Sequence, residues 1–174
     1  MSPTRLAYHA DGWGTGELWV QDSRLVWHEL PNPLGPPRAS SHFEPSEGIV
    51  TRGKRNRAGS VSISELAERL TAYFAGIKPS FRDVELDLEW ATPFQLAVAG
   101  ALRDVPYGET VTYGELAAAA GHPNAQRAAG TFCAGNRFPI LLPCHRVVAA
   151  SGLGSYGSLG SEYKRRLLEL EGAV

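Results

Sequence analysis

Residues 112–136 read TYGELAAAAGHPNAQRAAGTFCAGN, and this stretch limits the fold more than any other. Alanine is the strongest helix former, so both halves of it favour helix. Gly121 and Pro123 interrupt them: glycine suits the residue just past a helix end, and proline cannot continue the helix it follows. The stretch predicts two short helices joined by a four-residue turn, the pattern of a helix-turn-helix. Many helical hairpins bind nothing, so the motif alone leaves DNA binding and plain structure both open.

A coarse reading of the rest places this pair in the second of two domains. Residues 5–30 read as short strands, with GELWVQDSRLVWHEL folding about a polar turn at Asp22-Ser23. LPNPLGPPRASS and TRGKRNRAGS lack regular signals; the basic run in the second reads as a surface loop. ISELAERLTAYFAG predicts a helix capped by Ser64 and closed at Gly76, with Pro79 beyond. VELDLEW alternates strictly, Val84, Leu86, Leu88 and Trp90 against acids, which predicts a half-buried strand. ATPFQ then carries Thr92 as N-cap, Pro93 at the first helical position and Gln95 three residues after the cap, a capping box. That helix runs to about Asp104, with Phe94, Leu96, Val98, Ala101 and Leu102 available for packing. EYKRRLLELEG supplies a last helix. The expected fold is α/β: a sheet-and-helix domain over residues 1–90 and a helical domain with the helix-turn-helix over 91–174.

Composition excludes more than it selects. With 20% charged residues and a net charge of −1, the chain is neither a basic nucleic-acid coat nor an acidic disordered tail. No run approaches membrane-spanning length and MSPTRLAYHA lacks a signal-peptide pattern, so no membrane partner is expected. Two cysteines eleven residues apart make no disulfide framework, which points to free thiols in a cytoplasmic compartment. No CxxC is present, so no metal and no cofactor is expected.

The chemistry-bearing feature is ILLPCHRVVAASG, which sets Cys144 beside His145. A free cysteine is usually buried and inert. As a nucleophile it needs positive charge, a helix terminus or a base to favour the thiolate. Neighbours on a strand point to opposite faces, so His145 reaches the sulfur only if the chain bends after Pro143. Such a base needs a carboxylate to orient it, and Glu162, Glu169 and Glu171 are the late acids. Spacing does not choose among them.

The flanks resemble the O6-alkylguanine-DNA alkyltransferases. The resemblance spans most of residues 91–172 through TPFQ, VPYGETVTYGELA, AQRAAG, GNRFPILLPCHRVV and LLELEG. It implies a ribonuclease-H-like first domain and a winged-helix-like second one. It further implies stoichiometric removal of alkyl groups from O6 of guanine in double-stranded DNA by a monomer. By position, Cys144 resembles the alkyl acceptor, His145 the base acting through a water, and Glu171 the acid orienting it. Asn136 matches the asparagine supporting the reactive loop, and Tyr113 the tyrosine bonding guanine N3. Arg127 resembles the arginine that fills the stack after a guanine leaves the duplex. Val147 lies where a carbonyl would read the guanine amino group, Tyr156 lines the pocket, and Ser158 is the amide expected to face O6. Arg137 departs from the family, which often has proline there, and adds positive charge near the DNA face.

Other readings attach to the same residues. Cys144, His145 and Glu171 also suit a cysteine hydrolase with turnover, and the helix pair suits a binding module with a structural cysteine. Cys133 is expected to pack or lie on the surface. His9, His28, His42 and His122 are expected to be ordinary surface or half-buried residues. Lys164, Arg165 and Arg166 are expected on a solvated helix face, with Lys164 near the pocket as the alternative.

Overall fold

The computed structural model describes residues 2–34 and 59–174. His42 and the basic run in TRGKRNRAGS lie outside the described residues. Among the described residues the fold is α/β, with a three-stranded sheet, a two-stranded pair and five α-helices, in two compact units, Met1–Asp87 and Leu88–Val174.

In the first unit, β1 (Thr4–Ala10), β2 (Gly14–Gln21) and β3 (Arg24–Asn32) form an antiparallel sheet in that order. Gln21 pairs with Arg24 across a two-residue turn in which Asp22 and Ser23 have φ of 50° and 68°. Positive φ at both positions matches the right-handed strand twist, and aspartate tolerates it better than most residues. Helix α1 (Ile63–Phe74) lays Leu66, Leu70, Tyr73 and Phe74 into the core, with the Phe74 ring 5.1 Å from that of Trp13. Its N-cap is Ser62, not Ser64: the Ser62 side chain accepts from the Glu65 N–H, and Ser64 falls inside the first turn.

The expected strand over residues 84–90 shrinks to one bridge. Leu25 N–H donates to the Glu85 carbonyl and Asp87 N–H to the Leu25 carbonyl, both at 2.8 Å. Val84 is buried as the alternation requires, but Ala91 N–H donates back to the Leu88 carbonyl and Trp90 is exposed. The turn at Leu88–Ala91 ends the extended run before a ladder can form.

The second unit opens with α2 (Pro93–Arg103), whose capping box is complete: Thr92 Oγ1 accepts from Gln95 N–H and Gln95 Oε1 from Thr92 N–H. Val98, Ala99 and Leu102 are buried, whereas Leu96 is exposed because it lies on the opposite face. Helix α3 (Tyr113–Ala119) has a second capping box, Thr112 with Glu115, that the sequence reading passed over. Helix α4 (Gln126–Ala134) follows a six-residue connection, longer than the expected four. Gly121 at φ 82° and Asn124 at φ 71° let that connection reverse direction. The short strands β4 (Val111–Thr112) and β5 (Val147–Val148) pair in parallel, and α5 (Gly160–Glu171) closes the unit at Gly172, φ 72°. No helix among the described residues is long and apolar enough to cross a membrane.

Candidate active site

The run from Asn136 to Arg146 is neither strand nor α-helix. Asn136 holds its start: Nδ2 donates to the Leu142 carbonyl at 2.8 Å and Oδ1 accepts from Phe138 N–H at 2.9 Å. Within this loop Ile140 has φ of 73°, a rare conformation for a β-branched residue that costs about 1–3 kcal/mol. The asparagine clamp and the burial of Phe138, Ile140, Leu141 and Leu142 offset that cost.

After Pro143 the chain makes a single 3₁₀ turn, Cys144–Arg146. Successive side chains in such a turn leave about a third of a revolution apart, so three neighbours take three separate environments. All three are buried. The thiol faces Asn136, whose Nδ2 lies 3.1 Å from Sγ. Burial pushes the Cys144 thiol above its ordinary range; Asn136, the Tyr156 hydroxyl and the Lys164 ammonium pull against it. At rest, then, the group is a thiol held among donors that favour a thiolate.

His145 Nε2 meets Glu171 Oε1 at 2.7 Å, and both side chains are fully buried. A carboxylate only accepts, so Nε2 carries the proton. Burial holds the imidazole below its ordinary pKa despite Glu171, leaving a neutral ring with Nδ1 as its acceptor. Arg146 completes the carboxylate's shell: Nε donates to Oε2 and Nη2 to Oε1, each at 2.9 Å, while Nη1 donates to the Val105 carbonyl at 2.7 Å. Gly108 N–H adds a bond to Oε2 at 3.1 Å. The bidentate guanidinium and the backbone N–H fix Glu171 at the end of α5.

Lys164 corrects the expectation of a solvated helix face. It is completely buried, and its ammonium donates to the Val147 carbonyl at 2.6 Å and the Ser155 carbonyl at 3.4 Å. Nζ also lies 5.8 Å from the centre of the Tyr113 ring. Burial lowers its pKa, against the pull of Cys144 and Cys133. Lys164, Leu167, Leu168 and Glu171 are the buried residues of α5, the last three lying three, four and seven positions on from the lysine. That helical stripe was visible in the sequence and could have marked Lys164 as interior.

Tyr113 starts α3 directly after β4, and the pairing of Val111 with Val147 sets it beside the strand that follows the cysteine turn. Gly130 of α4 lies against its ring. Burial first, then Cys133 and Cys144, raises the phenol's pKa, so it stays protonated. Cys133 is buried on α4 with its thiol pushed up to about 12, chiefly by desolvation, which makes it inert.

The residues anticipated from sequence therefore divide into two groups. Cys144, His145, Glu171, Asn136, Tyr113, Val147 and Tyr156 gather around the 3₁₀ turn. Arg127 is exposed on α4 and Ser158 is exposed in the loop before α5. Arg146 is the interior member that sequence reasoning missed, and Lys164 takes the place near the pocket that was its alternative. No group of three side chains that could hold a metal ion occurs among the described residues.

Comparison with known proteins agrees over both units. The model for the DNA binding domain of 6-O-methylguanine DNA methyltransferase matches residues 93–173. A Mycobacterium tuberculosis protein named methylated-DNA–protein-cysteine methyltransferase is 41% identical over 161 residues, covering 84% of this chain and 92% of its own length. The crystal structure of Mycobacterium tuberculosis OGT in complex with DNA superposes with a TM-score of 0.73 at 38% identity, covering 98% of this chain and 93% of that one. An O6-methylguanine-DNA methyltransferase from Pyrococcus kodakaraensis shares the fold at a TM-score of 0.57, 24% identity, and 98% and 99% coverage.

Proposed function

This chain belongs to the methylated-DNA–protein-cysteine methyltransferase family, and from that premise we propose that Cys144 is the acceptor in its repair reaction. It repairs DNA by direct transfer of an alkyl group to a cysteine. The substrate is guanine alkylated at O6 in double-stranded DNA, and the protein acts as a cytoplasmic monomer. The observation that carries the assignment is the thiol of Cys144 beside Asn136, with the next residue bonded to a buried carboxylate.

The reaction follows from the groups present. The Cys144 proton passes through a water to His145 Nδ1, the ring nitrogen left basic by the Glu171 bond. Sulfur attacks the alkyl carbon, the carbon–O6 bond breaks, and guanine departs with its electron pair. Tyr113, a neutral phenol, donates a proton toward N3 and so improves that leaving group. Arg146 holds Glu171 in place through two bonds, which keeps His145 in the useful tautomer. A thioether has no good leaving group, so the thiol is not restored and each molecule reacts once.

A stacked base hides its O6 substituent, so the nucleotide must leave the duplex to reach this interior sulfur. Arg127, exposed on α4, fills the gap, and Val147, Tyr156 and Ser158 line the pocket for the extruded base. The finer fold reading accompanies this one: a ribonuclease-H-like first unit, supported by three antiparallel strands backed by α1, and a winged-helix-like second unit, supported by α3, α4 and their turn.

The test is to mix the protein with an O6-methylguanine duplex, digest it and map the added mass. One methyl on the Cys144 peptide, reached at one equivalent of DNA, is expected. A methyl on Cys133 overturns the assignment, multiple turnovers indicate a hydrolase-like cycle, and binding without modification indicates a binding module.

A further inference from the structure

Apart from the thiol pocket, the second unit carries a groove of about 360 Å³ between the start of α2 and the outer side of α4. Thr92 and Gln95 line one wall with Phe94; Thr131 and Gly135 line the other with Phe132, so the lining is mostly apolar, and no acidic residue borders it. Ala128, Thr131 and Gly135 are exposed and spaced three and four apart, a stripe of small side chains that lets a partner's backbone come close.

Arg137 lies beside this groove. Its guanidinium sits over the Trp90 indole, with Cζ 4.2 Å from the ring centre. No carboxylate pairs with Arg137 among the described residues. A guanidinium stacked by its face keeps its N–H edges free in the plane of the group, the geometry that recognises phosphate. Holding that group on a ring also reduces the side-chain freedom lost on binding.

We propose that this groove seats the sugar–phosphate backbone of duplex DNA flanking the lesion, with Arg137 bonding one phosphate from its Trp90 platform. This rests on the DNA reading above. The occupant follows from continuity: Arg127, which that reading inserts into the duplex, and Thr131, in the groove wall, lie four residues apart on one exposed helix. That separation is about 6 Å along the axis, under two nucleotide steps of about 3.4 Å each. A duplex engaged at Arg127 therefore brings backbone to the groove. Thr92, Thr131 and Gln95 offer hydroxyl and amide groups along a groove that is otherwise apolar, and Arg137, with no carboxylate beside it, supplies the charge complement to a phosphate.

The test is a salt titration of binding to an undamaged duplex, read by fluorescence anisotropy on the full-length protein. Arg137→Gln should make the slope of log affinity against log salt shallower by about 0.9, so its deficit relative to wild type shrinks three- to fourfold, roughly, between 50 and 200 mM salt. Arg137→Lys keeps the charge and should keep the slope while losing affinity. Trp90→Ala should lose affinity in the same direction, because the cation is no longer held. Wild-type slope and affinity in Arg137→Gln overturn the proposal. So does lost affinity with an unchanged slope, which would assign Arg137 to bracing Trp90 within the fold. Should Arg137→Gln fail to fold, shown by its thermal midpoint, the Arg137→Lys and Trp90→Ala pair decides: lost affinity in both supports the proposal, and wild-type affinity in either overturns it. A wild-type protein that binds no duplex overturns the DNA reading itself.

Discussion

Arg146 and Arg127 are the same residue in two opposite settings, nineteen positions apart. Arg146 is buried, and every polar group it offers is spent on Glu171 and the Val105 carbonyl. Arg127 stands exposed on α4, and only its backbone carbonyl is engaged, by Thr131 Oγ1 at 3.1 Å. The interior arginine is part of a network assembled before any substrate arrives. The surface arginine has its bonds still to make. Under the proposed function the contrast separates groups that would set the reactivity of Cys144 from groups that would bring a substrate to it, and substitutions in the two regions should fail in different ways.

The largest effect belongs to the sulfur. Cys144→Ser should abolish transfer altogether while binding to duplex DNA survives, because α3, α4 and their turn do not depend on the thiol. Single-turnover assays beside gel-shift measurements check it. Loss of both activities together would merge the two regions that the arginines separate.

Next come the interior groups. His145→Ala and Glu171→Gln should each slow transfer by about 10²–10⁴-fold, the usual worth of general-base assistance, with duplex affinity unchanged. Unaltered single-turnover rates in both would refute the relay. Glu171→Leu should do more, because it strands the Arg146 cation without its carboxylate; removing one partner of a buried pair costs about 3–5 kcal/mol. Denaturant unfolding would read that loss directly.

On the surface the pattern should reverse. Arg127→Ala should weaken repair in duplex DNA by roughly tenfold, the worth of a partly desolvated stacked cation at about 1–2 kcal/mol. Reaction with free O6-benzylguanine should suffer less, because a free base needs no extrusion. Equal losses on both substrates would place Arg127 with the pocket or the fold and remove the contrast with Arg146.

What could be read from the sequence follows the same division. Local rules wrote themselves clearly: the Thr92–Gln95 box, the Asp22-Ser23 turn and the stops at Gly76 and Gly121 depend on neighbours within four residues. The acid that pairs with His145 was legible through the resemblance, since spacing left three acids open; the same resemblance names Cys144 as the proposed acceptor. The interior arginine was not legible, and Lys164 was placed near the pocket only as an alternative, because lysine and arginine default to solvent. Lys164 shares a stripe with Leu167, Leu168 and Glu171, but seeing it required trusting periodicity over charge. Arg146 had no such signal: its burial comes from a 3₁₀ turn and a helix end 25 residues away, a contact no local pattern encodes. The failed strand at 84–90 has the opposite cause, a strong alternation with room for one bridge only.

The smallest effect sharpens the interior half of the comparison through pH. His145 is held neutral by burial, with its pKa below the ordinary value of 6.5, and the groups acting on it are Glu171, Arg146 and Lys164. A base whose pKa is depressed in the fold binds fewer protons folded than unfolded between its two values. The stability tied to that neutrality is therefore fully present above about pH 6.5 and is lost as pH falls toward the folded value. One proton bounds the slope at about 1.4 kcal/mol per pH unit. His145→Gln keeps a donor for Glu171 and removes the titration, so its unfolding free energy should fall less steeply below pH 6.5 than that of the wild type. If His145→Gln leaves the curve as steep as that of the wild type, burial does not hold this imidazole neutral, and the proposed relay through His145 loses its support.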